Sequence, residues 1–190
     1  MILEPKSNER YTYADYLSWN NDERWELIDG IPYNMTPAPS PDHQRILLQL
    51  SRKFADYLEG KPCEAFIAPF DVRLFPNENK NDDNVVQPDL TIICDPTKIT
   101  KHGCEGVPDL IIEVLSPSTA KKDKREKKRL YERAGVKEYW IVDPLNHTID
   151  IFTLTEHRKY EESELYGKEE EIKVGIFEEL LIQLNSIFVE

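Results

Sequence analysis

The most regular pattern of apolar positions in the chain lies between residues 40 and 60. Ser40 and Pro41 form a typical helix start, because a serine hydroxyl caps the first turn and proline fits at its first position. Apolar side chains then recur every three or four residues, which is the period of one helix face. The pattern predicts a long amphipathic helix that ends near Gly60. Its apolar positions are Ile46, Leu47, Leu50, Phe54, Tyr57 and Leu58.

Shorter segments have the β-branched and aromatic composition of strands. Residues 109–115 (DLIIEVL) are mostly apolar, which suits a strand that is buried on both faces. Residues 85–94 are similar but are interrupted by Pro88, and proline cannot continue a central strand. Further strands are predicted at residues 64–68, 70–75, 138–142, 148–154 and 158–161.

Turn and cap signals mark the remaining elements. Asp29-Gly30 separates two strand-like segments and predicts a hairpin over residues 24–35, because this pair tolerates the positive φ angles of a type I′ turn. Residues 12–15 (TYAD) resemble a capped start, so a short helix is expected to run to about Trp19. Residues 76–84 are a polar loop, and the apolar positions of residues 176–189 predict a final element that packs back on the body.

Residues 120–134, called here the charged helix, form a helical segment that closes at Gly135, a typical C-terminal stop. Residues 121–133 contain eight basic and three acidic side chains. The ordinary interpretation of such a segment is a solvated helix surface. The position of Lys127, described below, argues for an additional role in a functional site.

The order helix, strands, helix, strand describes a mixed sheet flanked by helices. The chain has no Gly-x-Gly-x-x-Gly pattern and no P-loop, which argues against a Rossmann or P-loop nucleotide-binding domain. We therefore expect an α/β fold with a mixed sheet, organised as a single domain over residues 1–190.

Acidic residues outnumber basic ones by 36 to 24, so the net charge is −12. This excludes a protein that coats nucleic acid uniformly, whereas a locally basic groove remains compatible. The odd, widely spaced cysteines Cys63, Cys94 and Cys104 argue against a disulfide framework and predict reduced thiols. No apolar run reaches the roughly 20 residues of a membrane span, and residues 1–6 have no signal-peptide stretch. We expect a cytoplasmic protein without a membrane partner.

Two carboxylates stand in otherwise apolar strand segments. Asp89 follows Pro88, and Glu113 lies within DLIIEVL. A carboxylate buried alone is costly, so each needs a cation, a donor or solvent at the strand end. Two neighbouring strands can bring both to one point, where paired carboxylates hold Mg²⁺. The alternatives are an Asx-type turn at Asp89 and an outward position on an edge strand for Glu113.

The charged helix supplies a candidate partner for these carboxylates. Its apolar positions define one face, and at about 100° per residue Lys127 points within roughly 10° of the centre of that face and Asp123 within about 40°. Lys127 can snorkel to solvent or reach over the sheet towards Glu113, and we favour the second. An ammonium beside metal-binding carboxylates suits phosphodiester hydrolysis, which needs an oriented water and stabilisation of developing charge. The apolar positions are Ala120, Leu130, Tyr131 and Ala134.

Pro88-Asp89, Glu113 and a nearby lysine resemble the PD-(D/E)xK nuclease superfamily. More closely, the chain resembles the Uma-type family of restriction endonuclease-like proteins over nearly its whole length. The resemblance implies a restriction-endonuclease-like αβββαβ core with an extra N-terminal helix and hairpin and C-terminal strands. It also implies Mg²⁺-dependent DNA cleavage, with Mn²⁺ as an alternative metal. The similar stretches are residues 25–30 (WELIDG), 39–44 (PSPDHQ), 68–73 (APFDVR), 86–90 (VQPDL), 112–119 (IEVLSPST) and 139–144 (YWIVDP).

The chain departs from the superfamily at one position, because the Glu-x-Lys pattern would place lysine at 115 and Leu115 stands there. Lys127 matches the family's relocated lysine on the following helix. The family pattern also suggests Glu26 as a third acidic group, and the alternative for Glu26 is the polar face of a hairpin.

Other polar residues are weaker candidates. His43 lies in the first turn of the long helix, where the helix dipole disfavours a protonated ring, so we expect a capping or core role rather than catalysis. Asp71 cannot be assigned to a sheet face, and Gln87 is a candidate phosphate contact. Cys104 and His102 are too isolated for a metal site.

We therefore expect a metal-dependent endonuclease. Asp89 and Glu113 would bind one or two Mg²⁺ ions with a backbone carbonyl near Val114 as a further ligand, Lys127 would orient the attacking water, and Glu26 would assist. Contacts to the DNA backbone position a protein without reading sequence, and cleavage of both strands would favour a homodimer. The expected backbone contacts are Lys121, Lys122, Lys124 and Arg125.

Two alternatives use the same fold. A catalytically inactive nucleic-acid-binding module predicts no metal dependence. A protein-interaction module predicts a tight Asp123–Lys127 pair and an outward Glu113.

Overall fold

The computed structural model describes residues 9–19, 23–35 and 38–189, so the expectation for residues 1–6 lies outside the described residues. The helices agree well with the apolar patterns. A short helix, α1, is capped by the Thr12 hydroxyl and the Asp15 carboxylate, as predicted. The charged helix comprises α3, a π-helical turn and α4, and it ends at Gly135 with a φ of 96°. The bounds are α1 Tyr13–Tyr16, α2 Pro41–Leu58, α3 Ala120–Lys122, the π-turn Asp123–Lys127 and α4 Lys128–Ala134.

Fourteen strands are present within the described residues. They are β1 Trp25–Ile28, β2 Ile31–Asn34, β3 Glu64–Ile67, β4 Val72–Arg73, β5 Val85–Val86, β6 Leu90–Ile93, β7 Ile99–Thr100, β8 Gly103–Glu105, β9 Leu110–Val114, β10 Glu138–Asp143, β11 Thr148–Thr153, β12 Glu164–Gly167, β13 Glu171–Lys173 and β14 Leu181–Gln183. The β1–β2 hairpin turns at Asp29 and Gly30, whose φ angles of 51° and 74° match the predicted turn.

The strands form two six-stranded sheets and one two-stranded sheet. The main sheet has the order β12-β11-β10-β9-β6-β3, and β9 and β10 are its parallel pair. The second sheet has the order β2-β1-β5-β4-β8-β7. Its strands β1 and β2 precede the main sheet in the chain, and its other four strands lie between β3 and β9. The succession α2, β3, β6, β9, charged helix and β10 is the expected αβββαβ core, so the predicted mixed fold is confirmed.

The alternation of side chains along β9 decides what each face of the main sheet contacts. Leu110, Ile112 and Val114 join the apolar cluster that α2 covers. Ile111 joins the cluster that the charged helix covers. Glu113 is two residues after Ile111 and therefore lies on the same face of β9, so it points towards the charged helix. The central strand thus delivers one carboxylate beneath a basic helix.

The chain after β11 differs from the expectation. Residues 158–161 do not form a strand, because Arg158 has a φ of 57° and the amide of Thr155 bonds the carbonyl of Lys159 in a turn. An isolated bridge joins Leu154 to Tyr160, and the next strand of the sheet is β12. The C-terminal segment packs on the α2 side through Ile182, Leu184 and Phe188 among others, as predicted.

The cysteines also correct the sequence-based expectation. Glu64 pairs with Ile93 in the antiparallel β3–β6 register, so Cys63 and Cys94 face each other at the next position and form a disulfide. Reduced thiols were therefore the wrong expectation for this pair, and the cytoplasmic location loses that support and stays a prediction. Cys104 is free, and burial raises the pKa of its thiol to about 12. No helix within the described ranges is long and apolar enough to cross a membrane.

Arg73 of β4 holds together β8, the polar loop of residues 76–84 and α1. Its guanidinium forms two hydrogen bonds with the carboxylate of Asp82, at 2.9 and 2.7 Å, and one of 2.7 Å with Glu105. It also stacks on the ring of Tyr13, 3.9 Å from the centroid. Arg73 and Asp82 are both buried, so the far end of the polar loop is held to the body of the protein.

Replacement of Arg73 with alanine is expected to lower the free energy of unfolding by about 3–5 kcal/mol, because it leaves the buried Asp82 carboxylate without its cation. Urea denaturation followed by circular dichroism measures this change. The matched control is Arg45→Ala, since Arg45 forms a solvent-exposed pair with Asp42 and such pairs contribute at most about 1 kcal/mol. Equal losses for the two variants would contradict the proposed role of Arg73.

Candidate active site

Asp89 and Glu113 meet at the ends of two neighbouring strands. The β6–β9 register pairs Leu90 with Ile112 in antiparallel fashion, and its continuation sets Asp89 opposite Glu113. Oδ2 of Asp89 accepts a hydrogen bond of 2.8 Å from the backbone amide of Val114. Pro88, which follows β5 and has no amide to donate, lets the chain turn so that Asp89 immediately precedes β6. Both carboxylates therefore line the same recess.

Lys127 lies directly against Glu113. Its Nζ is 2.8 Å from Oε1 of Glu113 and 2.7 Å from Oε1 of Glu26. The Tyr131 hydroxyl donates a 2.7 Å hydrogen bond to the same Oε1 of Glu113. Glu113 and Lys127 are only 4% and 2% exposed. Among the described residues no group bonds the second oxygen, Oε2, of Glu113, so that oxygen remains for a ligand.

Glu26 comes from β1 and is fully buried at the centre of this cluster. Its Oε1 accepts from the amide of Gln87 at 2.9 Å, and its Oε2 accepts from Nζ of Lys122 at 2.6 Å. The hairpin alternative for Glu26 is therefore wrong, because its side chain lies inside the protein. Glu26 connects the second sheet to the charged helix.

The π-turn explains how two lysines reach one glutamate. Lys122 and Lys127 are five residues apart and both bind Glu26. In a regular α-helix such residues point about 140° apart, whereas the i→i+5 turn of a π-helix returns them to the same side. Lys122 lines the recess with its ammonium bound to Glu26, so its contact with DNA stays a prediction. Lys121, Lys124 and Arg125 are exposed.

Asp123 and His43 are parts of the site that the sequence analysis did not assign to it. Asp123 is buried, and its Oδ1 has no hydrogen-bond partner within the described ranges and lies 3.8 Å from Nζ of Lys127. The amide of His43 bonds the capping hydroxyl of Ser40, yet the ring Nε2 lies 3.2 Å from Oδ1 of Asp89. The Pro88-Asp89 motif and the helix start were both visible in the sequence, but nothing in the sequence connected them.

Negative charge exceeds positive charge in this cluster. Burial raises the pKa of Glu113 to about 8, and the nearby carboxylates of Asp123, Asp89 and Glu26 add to this effect against the opposing Lys127. Burial would raise the pKa of Glu26 too, but Lys127 and Lys122 lower it below its ordinary value. Desolvation opposes the charge of Lys127, yet Glu113, Glu26 and Asp123 raise its pKa well above the usual range. Lys127 therefore remains an ammonium that donates hydrogen bonds.

The cluster opens into a recess of about 690 Å³. One wall comes from the segment before α2 and the other from the turn after β9, where three hydroxyl side chains lie. Basic side chains at its edge are suited to contact an anionic ligand. Lining residues that bear on this point are Arg24, Lys121, Ser116, Ser118 and Thr119.

A divalent cation is compatible with this site. No group of three or more His, Cys, Asp or Glu side chains within the described residues is close enough to hold a metal alone. Mg²⁺, however, commonly binds through one or two carboxylates and keeps several waters. Asp89 and Glu113 meet that requirement. The unpartnered Oδ1 of Asp123 and the surplus of carboxylate charge also fit a cation in this place.

The remaining sequence candidates lie apart from this recess. The side-chain nitrogen of Gln87 donates to Oδ1 of Asp71 at 2.8 Å, and neither residue lines the recess. Cys104 is buried in the apolar cluster beneath the charged helix. The protein-interaction alternative required an outward Glu113, and this requirement fails because Glu113 is buried. Its second requirement, a tight Asp123–Lys127 pair, is met only by a contact of 3.8 Å, longer than those of Lys127 with Glu26 and Glu113.

The fold and this recessed cluster of carboxylates and lysine define a nuclease-like α+β protein. Residues 13–185 match the Uma2 family, described as "Putative restriction endonuclease", and the chain belongs to that family. The resemblance seen in the sequence is thereby confirmed.

Several individual proteins are similar to this chain. The uncharacterized protein slr1290 of Synechocystis sp. is 31% identical over 141 residues, which are 73% of this chain and 71% of that protein. A second uncharacterized Synechocystis protein, sll1609, is 29% identical over 167 residues, 85% of this chain and 91% of that protein. The crystal structure of a "putative nuclease belonging to DUF820" from Anabaena variabilis has a TM-score of 0.74 and covers 94% of this chain and 97% of its own. At 18% identity it shows the shared fold alone.

Replacement of Glu113 with glutamine is expected to flatten the pH dependence of stability in the metal-free protein. The folded-state pKa of Glu113, about 8, lies above its ordinary value of 4.5. Its stabilising contribution is therefore complete below the ordinary value and is lost as the pH rises through about 8. Between about pH 5 and pH 9, we expect the wild-type Tm to fall by roughly 5 °C more than that of Glu113→Gln, measured with chelator present.

Glu132→Gln is the control for this measurement. A hydrogen bond from Lys159 lowers the pKa of Glu132. The stabilisation that Glu132 contributes is therefore constant between about pH 5 and pH 9, and Glu132→Gln should not change the slope of Tm against pH. Parallel Tm curves for the wild type and Glu113→Gln would show that burial does not raise the Glu113 pKa.

Proposed function

We propose that this chain is a Mg²⁺-dependent endonuclease that hydrolyses phosphodiester bonds in DNA. The observation that supports this most strongly is the convergence of Asp89, Glu113 and Lys127 at one recess, with Lys127 protonated between two buried carboxylates. Membership of the Uma2 family supports the same activity.

Asp89 and Glu113 are the residues that would hold the metal, with a backbone carbonyl near Val114 as a further ligand. Mg²⁺ bound there would supply Lewis acidity and lower the pKa of a coordinated water. Mn²⁺ is expected to substitute for it, because both ions accept carboxylate and water ligands.

The protein's own side chains orient these groups. His43 and the amide of Val114 hold the two oxygens of Asp89, and Tyr131 and Lys127 hold Oε1 of Glu113. Lys127 acts as a hydrogen-bond donor to the attacking water or to the phosphate oxygens, because its raised pKa prevents it from accepting a proton. Glu26 is a positioning residue that keeps Lys127 in place.

The edge of the recess would bind the phosphate backbone. Arg24 and Lys121 lie on it, and cationic contacts of this kind orient the strand without reading its sequence. A single chain contains one such site, so cleavage of both strands of a duplex would require two chains acting together.

Cleavage is expected to require both the metal and the lysine. Wild-type protein should nick or degrade DNA with Mg²⁺ or Mn²⁺ and lose this activity with chelator. Glu113→Gln should abolish it, and Lys127→Gln should lower the rate by about 10²-fold or more, since the donor aimed at developing charge is weakened. Gel assays with single- and double-stranded substrates measure these rates.

Arg129→Ala is the matched control, because Arg129 is an exposed basic residue of the same helix that does not line the recess. Its rate should stay within about twofold of the wild type, as expected of an exposed side chain outside the recess. DNA binding without cleavage under every metal condition would favour the catalytically inactive binding module instead.

Metal binding provides a readout that does not depend on activity. Isothermal titration with Mn²⁺ should give at least about a tenfold weaker Kd for Asp89→Asn and Glu113→Gln than for the wild type, because each removes a charged ligand. Asp42→Asn serves as the control, since Asp42 is exposed and pairs with Arg45. Unchanged affinity in both site variants would exclude these two carboxylates as the ligands.

A further inference from the structure

A second cavity of about 260 Å³ adjoins the recess. Its walls include three aromatic rings, those of Tyr16, Trp19 and Trp25, together with Arg24 and Gln87. Arg24 lines both cavities, so the two are neighbours on either side of one side chain. Trp25 immediately precedes Glu26 in the sequence, and Gln87 stands two residues before Asp89. The segments that position the carboxylates therefore also form this cavity, here called the aromatic cavity.

Hydrogen bonds fix the orientation of the Gln87 amide. Its Nε2 donates to Oδ1 of Asp71 at 2.8 Å and contacts the Tyr16 hydroxyl at 3.3 Å. That hydroxyl donates to the same oxygen of Asp71 at 3.0 Å. Because a carboxylate that already receives one hydroxyl proton accepts rather than donates, the nitrogen of Gln87 faces Asp71 and the oxygen faces away.

Two polar atoms of this cavity's residues lack partners within the described ranges. They are Oε1 of Gln87, an acceptor on a side chain that is 7% exposed, and Nε1 of Trp25, a donor. Buried polar groups in proteins are almost always hydrogen-bonded, so each exception calls for an explanation. Both atoms are shielded from solvent in this structure, so a ligand with a donor and an acceptor would satisfy them once either side chain shifts towards the cavity.

We propose that the aromatic cavity receives an unpaired nucleobase of the DNA strand that is cut, so that the protein acts on single-stranded or locally opened DNA. This inference rests on the proposed nuclease function. A nucleobase has a flat face for the aromatic rings and an edge with both donors and acceptors, and stacking on aromatic side chains is the common way of holding unpaired strands. Arg24 would lie between the base in this cavity and the phosphate in the recess.

The depth of the recess supports the same substrate class. Glu113 and Lys127 are almost inaccessible from outside, so the phosphate must enter to reach them. Duplex DNA is stiff over about 150 base pairs, whereas a single strand bends at each nucleotide. An opened strand can place one phosphate in the recess and the neighbouring base in the aromatic cavity.

The test compares intact and abasic strands. Full-length Glu113→Gln protein, which should bind without cutting, is titrated with short fluorescent single strands in which one abasic position is moved along the sequence. We expect one position at which the missing base weakens binding by about tenfold. In the double variant Glu113→Gln/Trp25→Ala that penalty should disappear, because the base no longer has its stacking partner.

Controls separate stacking from folding. Thermal melting verifies that the Trp25→Ala chain is folded, and Trp25→Phe keeps a ring while removing Nε1, so it should retain most of the abasic penalty. Phe75→Ala, which removes an exposed aromatic ring outside both cavities, should retain all of it.

The outcomes distinguish this inference from the proposed function. An abasic penalty of the same size with and without Trp25, or duplex bound as tightly as single strand, overturns the aromatic-cavity proposal, even if the wild type cleaves DNA with Mg²⁺. Absence of both DNA binding and cleavage overturns the proposed function, and this inference with it.

Discussion

The buried ammonium of Lys127 is the constraint on which the site depends. A charge in the protein interior is tolerated only when opposite charges and hydrogen bonds surround it. Here Glu26 supplies the opposite charge, and Glu26 and Glu113 both accept hydrogen bonds from the ammonium, at 2.7 and 2.8 Å. These three residues come from β1, β9 and the charged helix, so both large sheets and the helix must be assembled before Lys127 has both of its partners. The ion-pair cluster thereby links the second sheet to the main sheet.

The same cluster contains more negative charge than its two lysines neutralise. Four carboxylates, those of Glu26, Asp89, Glu113 and Asp123, lie at or beside the recess, and burial raises the pKa of Glu113 and Asp123. Such an arrangement is unfavourable for the empty protein and favourable for a bound cation. Charge repulsion of this kind is characteristic of functional sites, where carboxylates that destabilise the free protein stabilise a bound cation.

The negative overall charge of the chain is compatible with a DNA substrate because basic side chains are concentrated near the recess. The protein is strongly acidic, with a net charge of −12, yet exposed basic residues of the charged helix and Arg24 lie near the recess. Membership of the Uma2 family agrees with a nuclease. In the proposed use of the aromatic cavity, stacking would help a protein of net negative charge to hold a strand, since stacking does not depend on charge.

The sequence by itself determined the local elements and the principal carboxylates. Periodicity identified α2, the central strand β9 and the charged helix, because these patterns are local, and apolar surroundings marked Asp89 and Glu113 as unusual. The apolar face of the charged helix even pointed Lys127 inward.

The β3–β6 register and the π-turn of the charged helix could be seen only in the tertiary structure. The Cys63–Cys94 disulfide follows from the β3–β6 register, and Lys122 joins Glu26 only because a π-turn replaces the regular turn. The contact between His43 and Asp89 unites residues 46 positions apart. Local periodicity cannot encode such contacts, since they depend on how distant elements pack against one another.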